Sequence, residues 1–271
     1  MSLLLLGSDN MYGAIIGDLA GSIYEYEQTK KVRSIDAKSI IVEKSFYSDD
    51  TILTIAILDA ILHDKDYATY LKRYIHEYRD YKPNFTPYFK TPFSPKLIKW
   101  SESNEIGTSH GNGAMMRISP VGYLFDKEED VIKNAKFATI PSHNSKEAIK
   151  SATTIALIIF YLRKGLDKDE IFKKLNIDLK YIPFTKFNTT CEETIGNCLY
   201  AFYNSISFED AMKKTLLMGG DTDTNCAIVG SMAEALYGVE EELINKTNSK
   251  LPDKFVKTLK KVKVNAIINK R

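Results

Sequence analysis

The sequence predicts an all-α protein that forms a single domain. Apolar residues recur at helical spacing along most of the 271 residues, and only KSIIVEK at 38–44 is a candidate strand. No motif repeats with a period of 20–50 residues, and no linker separates two halves. A chain with this pattern is expected to hold one domain of roughly ten or more helices.

Each predicted helix has a local signature. The clearest lies at 145–164, where small and branched apolar residues share one face. Thr190 and Glu193 fit a capping box at the start of another helix, and closely spaced prolines make 82–97 a loop. The predicted helices are residues 11–28, 51–63, 66–80, 114–124, 128–138, 145–164, Thr190–Tyr203, Ser207–Met218, 225–238 and 252–268.

The bulk composition is that of an ordinary soluble globular protein, with 44% hydrophobic and 27% charged residues. The formal net charge is +2, so no global field recruits nucleic acid or an anionic membrane. The longest apolar run, Ile155–Leu162, is far too short to span a bilayer. We therefore expect neither a nucleic-acid partner nor a membrane partner.

The three cysteines are Cys191, Cys198 and Cys226. None belongs to a C-x-x-C pair, so their odd and sparse count predicts reduced thiols in a cytoplasmic protein. The first clear helix pattern opens at Met11, after a short apolar start without a basic region. We expect residues 1–10 to be an upstream extension or a cloning remnant, and residues 11–271 to be the functional domain.

The stretch MGGDTDTNCAIVGSMAEALYG begins at Met218 and places a polar cluster at the entrance of an apolar helix. Gly219 and Gly220 end the preceding helix. Asp221 or Thr222 would suffice as a helix cap, yet four oxygen-bearing side chains follow one another. Two carboxylates there repel each other unless a positive charge separates them. A helix cap and a cation site both remain open on this stretch alone.

A second polar cluster, SDDT, precedes the apolar helix at 51–63. Ser48, Asp49 and Asp50 cannot share one helix face, but they can converge on one point at a loop–helix junction. Two clusters that offer only oxygen atoms suit Mg²⁺ or Mn²⁺ and do not suit zinc. Together they favour a cation site.

Two further stretches contain closely spaced glycines. In GDLAGSIYE, Asp18 and Glu25 lie seven residues apart and are expected on one helix face, while small residues let a ligand or another backbone approach. Tight helix packing explains these small residues equally well. In SHGNGAMMR, Gly111 and Gly113 flank Asn112, and such a turn can point N–H groups at a phosphate, although many similar turns bind nothing.

Taken together, these motifs resemble the ADP-ribosylglycohydrolase family, which includes the dinitrogenase reductase-activating glycohydrolase. The matching stretches are G-D-x-x-G-x-x-x-E at 17–25, S-D-D-T at 48–51, S-H-G-N-G-A-x-x-R at 109–117 and G-G-D-T-D-T at 219–224. The resemblance implies a compact, orthogonal multi-helix bundle with a binuclear centre of two Mg²⁺ or Mn²⁺ ions. It also implies hydrolysis of the glycosidic bond between ADP-ribose and a protein side chain or another acceptor.

The resemblance also implies roles for individual residues. Glu25 matches the catalytic acidic residue, and Asp223 is a candidate bridge between the ions. His143 matches a histidine of the ADP-ribose pocket, although a helix-cap or core histidine is the alternative. The implied metal ligands are Ser48, Asp49, Asp50, Asp221, Asp223 and Thr224, and the implied substrate-binding residues are Ser109, His110, Gly111, Asn112, Gly113 and His143.

Two positions depart from the family pattern, and two other functions stay open. Ser48 stands where Thr is usual, which keeps the hydroxyl, and His110 stands where Tyr is common, which puts stacking there in doubt. The implied reaction passes through an oxocarbenium-like ribosyl centre, with Glu25 as general acid or base. The alternatives are a metal-dependent phosphohydrolase of nucleotide diphosphates and a catalytically silent homologue that binds ADP-ribose.

Overall fold

The computed structural model describes residues 10–25, 40–83 and 91–268, with side chains up to Val262. Within these ranges there is no strand, and only isolated bridges pair Thr108 with His143 and Gly111 with Thr190. The prediction of an all-α fold is therefore confirmed. The helices are α1 (Gly13–Gly21), α2 (Asp49–Leu62), α3 (Tyr67–Glu77), α4 (Pro95–Ser101), α5 (Gly113–Met116), α6 (Ser119–Leu124), α7 (Glu128–Thr139), α8 (Lys146–Arg163), α9 (Lys168–Lys174), α10 (Cys191–Tyr203), α11 (Phe208–Met218), α12 (Thr222–Tyr237), α13 (Glu241–Asn248) and α14 (Asp253–Ile268).

The centre of the fold is the antiparallel contact between α1 and α12. A Cβ atom on Gly17 would lie 2.0 Å from the carbonyl oxygen of Cys226, and one on Gly13 would lie 2.2 Å from that of Gly230. Only glycine lets the two backbones meet at this distance. The small residues of GDLAG therefore serve tight helix packing, which also fixes the position of Asp18 against the first turn of α12.

The chain enters most of these helices through the caps that the sequence predicts. The Thr190 side chain accepts from the Glu193 N–H while the Glu193 carboxylate accepts in return, which completes the predicted capping box. Ser207 and Ser145 cap α11 and α8 in the same way through their hydroxyl groups.

The first helix is shorter than predicted. It ends at Gly21 and a tight turn follows, in which the Tyr24 N–H donates to the Gly21 carbonyl. Glu25 therefore lies beyond the helix and not on one helix face with Asp18, and residues 26–28 fall outside the described ranges. The predicted helix at 114–124 is broken as well, because Pro120 has no N–H for the Met116 carbonyl four residues earlier.

The candidate strand at 38–44 does not form in its described part. Residues 40–44 make a bend and a turn, in which the Val42 N–H donates to Ser45 Oγ. Ile40 and Ile41, which contributed to the apolar pattern of this segment, are buried in the core without forming a strand. The predicted loop at 82–97 ends early, since Ser94 caps a helix that starts at Pro95, a favoured first residue.

Besides α4, two further short helices, α9 and α13, lie in segments for which no helix was predicted. They have 7 and 8 residues, or about two turns each, which is too short for a clear apolar period. Among the described residues, no helix is long and apolar enough to cross a membrane.

Candidate functional site

A cavity of about 760 Å³ lies where the first turns of α2, α5 and α12 face each other. Its volume is in the range of pockets that hold small organic ligands. Ser48 is the one predicted site residue that does not line it. The predicted site residues that do are Glu25, Asp49, Asp50, Ser109, His110, Gly111, Asn112, Gly113, His143, Asp221, Asp223 and Thr224.

Asp18, Asp50 and Asp223 form a buried group of three carboxylates. Each offers an oxygen, and these oxygens lie within 4.8 Å of one another. Burial raises the pKa of Asp18 to about 6, and burial together with its acidic neighbours raises the pKa of Asp50 and Asp223 well above the ordinary value. Such a group is consistent with a metal site, because a divalent cation would offset both effects.

Asp18 is the member of this group that was not predicted as a metal ligand from the sequence. Its carboxylate accepts hydrogen bonds from the backbone N–H groups of Ser48 and Thr51 and from both hydroxyls. These bonds tie α1 to the first turn of α2 and hold the carboxylate in one orientation. The signal available in the sequence was the position of Asp18 beside Gly17 and Gly21, which bring it close to α12.

Asp50 has one satisfied and one unsatisfied oxygen. Its Oδ2 accepts from Thr224 Oγ1 at 3.3 Å and lies 3.2 Å from Ser48 Oγ, whose one proton points to the nearer Asp18 Oδ1. Its Oδ1 is buried and has no hydrogen-bond partner. A buried carboxylate oxygen without a donor is costly unless a cation or water occupies the space in front of it, so the residues present fit a metal ion.

Asp221 is the N-cap residue of α12, yet its side chain makes no capping hydrogen bond. Its Oδ2 instead accepts from the Asn112 side chain at 2.7 Å, and its own N–H donates to Asn188 Oδ1 at 2.8 Å. Burial raises the pKa of Asp221 to about 7. The side-chain cap does not account for this residue, which is consistent with the cation interpretation of GGDTDT.

The turn before α12 has a built-in backbone constraint. Gly219 and Gly220 both adopt positive φ angles, of 71° and 75°, which glycine accepts without strain. A Cβ atom on Gly220 would lie 2.2 Å from Asn188 Oδ1. Asn188 therefore packs against the turn that positions Asp221. The local sequence FNTT contains no pattern that predicts this role.

Asp49 and Glu25 complete the acidic side of the cavity and are only partly buried. Burial first, and then the neighbouring carboxylates of Asp223, Asp18 and Glu25, raise the pKa of Asp49. The negative charge of Glu25 likewise contributes to the raised pKa of Asp221. Glu25 thus lies close to both predicted ligand clusters.

The glycine-rich loop Ser109–Gly113 forms the opposite wall. Its N–H groups are partly used within the protein, because Ser109, Gly111 and Asn112 donate to the Ser142 carbonyl, Ser109 Oγ and the Thr189 carbonyl. The N–H groups of His110 and Gly113 have no acceptor among the described residues. The His110 ring lies at the rim, 3.4 Å from Glu147 Oε2.

His143 and Arg117 lie behind this loop. His143 is 5% exposed and Arg117 is 1% exposed, and both line the cavity. Burial and the Arg117 charge lower the pKa of His143 well below its usual value, whereas Arg117, with a pKa of about 10, stays cationic at neutral pH. Arg117 belongs to the SHGNGAMMR motif, but no role was predicted for it from the sequence.

The sequence model of the ADP-ribosylglycohydrolase family matches residues 9–269, nearly the whole chain. The chain belongs to the ADP-ribosylglycohydrolase family. A solved structure of an ADP-ribosylglycohydrolase-related protein complex superposes with a TM-score of 0.63, covers 94% of this chain and 95% of that chain, and is 19% identical. The fold of this family member is thereby confirmed.

Two curated relatives of this ADP-ribosylglycohydrolase family member are similarly distant. ADP-ribosylhydrolase ARH3 of Mus musculus is 23% identical over 307 residues, with 84% of this chain and 83% of that protein covered. ADP-ribosylarginine hydrolase Tri1 of Pseudomonas putida (strain GB-1) is 23% identical over 260 residues, with 84% and 70% covered. The residues that the family model matches, 9–269, include all the cavity residues, which run from Glu25 to Thr224.

Proposed function

We propose that this protein is a metal-dependent hydrolase that cleaves the glycosidic bond between ADP-ribose and a protein side chain or another acceptor. The observation that carries the proposal is the shared cavity, in which buried carboxylates face a glycine-rich loop and a histidine. Membership of the family supports ADP-ribose as the recognised group.

Mg²⁺ or Mn²⁺, as two ions, is the cofactor that the oxygen-only side chains fit best. Bound ions would supply positive charge to hold ribose hydroxyls and to activate a water for attack. Asp18 joins the residues proposed from the sequence, since it shares the buried group with Asp50 and Asp223. The proposed ligand set is Asp18, Ser48, Asp49, Asp50, Asp221, Asp223 and Thr224.

The remaining side chains would act on the substrate itself. Glu25 lines the cavity next to both acidic clusters and would hold or release the proton at the departing acceptor atom or the attacking water. The loop Ser109–Gly113 would bind the diphosphate, with His143 behind it. In this arrangement the ribosyl carbon would lie between the acidic wall and the loop. The nearby carboxylates would stabilise the positive charge of an oxocarbenium-like centre there.

Release of free ADP-ribose tests the proposal. The protein is incubated with Mg²⁺ or Mn²⁺ and with peptides ADP-ribosylated on arginine or on serine, and with a small ADP-ribosylated molecule, and products are separated by mass spectrometry. The arginine-linked peptide is tested first, because the relative Tri1 is named an ADP-ribosylarginine hydrolase. Asp223→Asn serves as the inactive variant, and Asp66→Asn, at an exposed helix cap, serves as the matched control.

The products separate the alternatives. Free ADP-ribose is the expected result, whereas AMP would identify a phosphohydrolase acting on the diphosphate. ADP-ribose binding without any product would identify a catalytically silent homologue. The absence of both binding and product from wild-type protein would overturn the proposed function.

A further inference from the structure

Arg117 is a buried cation whose hydrogen bonds are incomplete. Its Nη2 donates to Ser142 Oγ at 2.7 Å and faces His143 Nδ1 at 3.5 Å. Its Nη1 is buried and has no hydrogen-bond partner. A guanidinium can only donate, so both groups that face Nη2 must present a lone pair to it.

Ser142 links Arg117 to the imidazole of His143. Because Ser142 Oγ accepts from Arg117, its own proton is free to point at His143 Nδ1, which lies 2.7 Å away. Two donors therefore face Nδ1, from the hydroxyl and from the guanidinium. In a neutral imidazole one nitrogen accepts and the other donates, so the proton of His143 belongs on Nε2.

The other ring nitrogen of His143 faces the glycine-rich loop. A Cβ atom on Gly111 or Gly113 would lie 3.4 Å or 3.5 Å from Nε2. No described residue supplies an acceptor for Nε2, and the same holds for the N–H groups of His110 and Gly113. Several unused donors thus surround one region of the cavity wall, beside the buried positive charge of Arg117.

We propose that Arg117 and Ser142 are positioning residues that hold His143 as the Nε2–H tautomer, so that Nε2 donates to an anionic oxygen of the bound diphosphate. The identity of the ligand as a diphosphate rests on the proposed function, whereas the assignment of the His143 ring proton does not. The physical advantage is pre-organisation, since a donor that is already oriented costs less to engage on binding. The wrong tautomer would turn a lone pair towards the anion and repel it.

The tautomer can be read directly by nitrogen-15 NMR of the ring nitrogens in metal-free, ligand-free protein. The resonances of His143 are assigned by their loss in His143→Gln, because the chain has only 4 histidines. Wild-type protein is expected to carry the proton on Nε2 with Nδ1 unprotonated. A proton on Nδ1 in the wild type would overturn the proposal, whatever the enzyme activity.

Ser142→Ala and Ser142→Thr form the matched pair of variants. Removal of the hydroxyl leaves only the Arg117 guanidinium facing Nδ1, at the longer distance of 3.5 Å, so the Nδ1–H fraction should rise above that of wild type. The binding of both ADP-ribose and inorganic pyrophosphate should weaken by about threefold to tenfold, the effect of one lost hydrogen bond. Ser142→Thr retains a hydroxyl and should restore the Nε2–H tautomer and the affinity. A merely structural role would lower thermal stability without moving the tautomer.

Arg117→Met removes the cation and should weaken pyrophosphate binding more than Ser142→Ala does. If that variant does not fold, as judged by circular dichroism, the Ser142 pair decides the question. Equal dissociation constants for wild type and Ser142→Ala, measured by calorimetry, would refute the proposed contact with the diphosphate. The affinity for pyrophosphate could change with the tautomer across the Ser142 variants even if the protein shows no turnover. That result would uphold this inference while the proposed function fails.

Discussion

Asp223 and Asp66 both sit at helix entrances, but their surroundings differ. Asp66 is exposed and its Oδ1 accepts from the Thr69 N–H at 3.2 Å, as a helix cap does. Asp223 is 4% exposed and lies among carboxylates. Since asparagine caps a helix about as well as aspartate, the same substitution distinguishes a cap from a ligand.

Asp223→Asn is therefore expected to abolish metal-dependent behaviour while the helices persist. Turnover should fall by at least about 100-fold, because metal assistance contributes several kcal/mol and each tenfold corresponds to about 1.4 kcal/mol. Metal-free Asp223→Asn should melt at a higher temperature than metal-free wild type, since a repelling charge is removed. Turnover and melting across a Mn²⁺ titration measure both effects, with Asp66→Asn as the control that should behave like wild type.

Ser48 caps α2 and also donates its hydroxyl proton to the buried acidic group. Its Oγ accepts from the Asp50 N–H and donates to Asp18 Oδ1 at 2.8 Å. Ser48→Ala should cost about 1 kcal/mol through the lost cap and should weaken metal binding, whereas Ser48→Thr should preserve both. Calorimetric metal titrations of the two variants test this, and equal affinity in Ser48→Ala would remove the hydroxyl from the proposed ligand set.

The buried thiols are expected to take no part in the chemistry. All three cysteines are free and buried, and burial raises the pKa of Cys191 to about 12 and also raises the pKa values of Cys198 and Cys226. Folded protein should therefore resist thiol reagents at neutral pH and keep its turnover when Cys191 is replaced by Ala. Loss of turnover in a well-folded Cys191→Ala variant would require a different mechanism.

Among the elements, α1 and α12 carry the site through their close approach. Glu234 of α12 is fully buried, and its carboxylate accepts from the Gly13 N–H at 2.5 Å, which satisfies one of the free N–H groups in the first turn of α1. This contact fixes the position of one helix along the other. Any change that separates the two helices should therefore move Asp18 away from Asp223.

Gly17→Ala tests this coupling between packing and site. The added methyl group would meet backbone atoms of Cys226 at 2.0 Å, so we expect a loss of about 3 kcal/mol or more of unfolding free energy and weaker metal binding. Gly196→Ala in α10 is the matched control. Its Cβ atom would lie 3.3 Å from the Lys180 carbonyl, and the change should alter stability by no more than about 1 kcal/mol. Denaturant unfolding and metal titration of both variants decide the outcome.

For the whole molecule, protons would compete with the proposed metal ions for the same buried carboxylates. The folded pKa values of Asp18 and Asp221, about 6 and about 7, lie above the ordinary value of 3.8. The folded protein therefore binds more protons than the unfolded chain between about pH 4 and pH 7, and these groups lower its stability as the pH rises through that window.

The metal-induced rise in melting temperature should consequently be larger at pH 8 than at pH 5. At pH 8 Asp18 and Asp221 are charged and repel each other without a cation, and a bound ion displaces fewer protons from them than at pH 5. Melting curves with EDTA and with Mn²⁺ at the two pH values measure the difference. An equal shift at both pH values would show that these carboxylates do not bind the ion.

The sequence by itself determined the class of fold and where most helices begin. Periodicity and capping are local properties, so the capping box at Thr190 and the serine cap at Ser207 could be predicted correctly from a few neighbouring residues. The two polar clusters were likewise visible, because two adjacent carboxylates at the entrance of an apolar helix conflict with burial. Their roles as metal ligands remain predictions.

Only the tertiary structure decided which of these groups meet. Asp18 faces Asp50 and Asp223 because glycines allow α1 and α12 to approach closely, and no local pattern encodes that distance. Arg117 likewise meets Ser142 and the adjacent His143 across 25 and 26 residues of chain. Contacts between residues far apart in the chain depend on how complete helix surfaces pack together. Local periodicity carries no information about that packing.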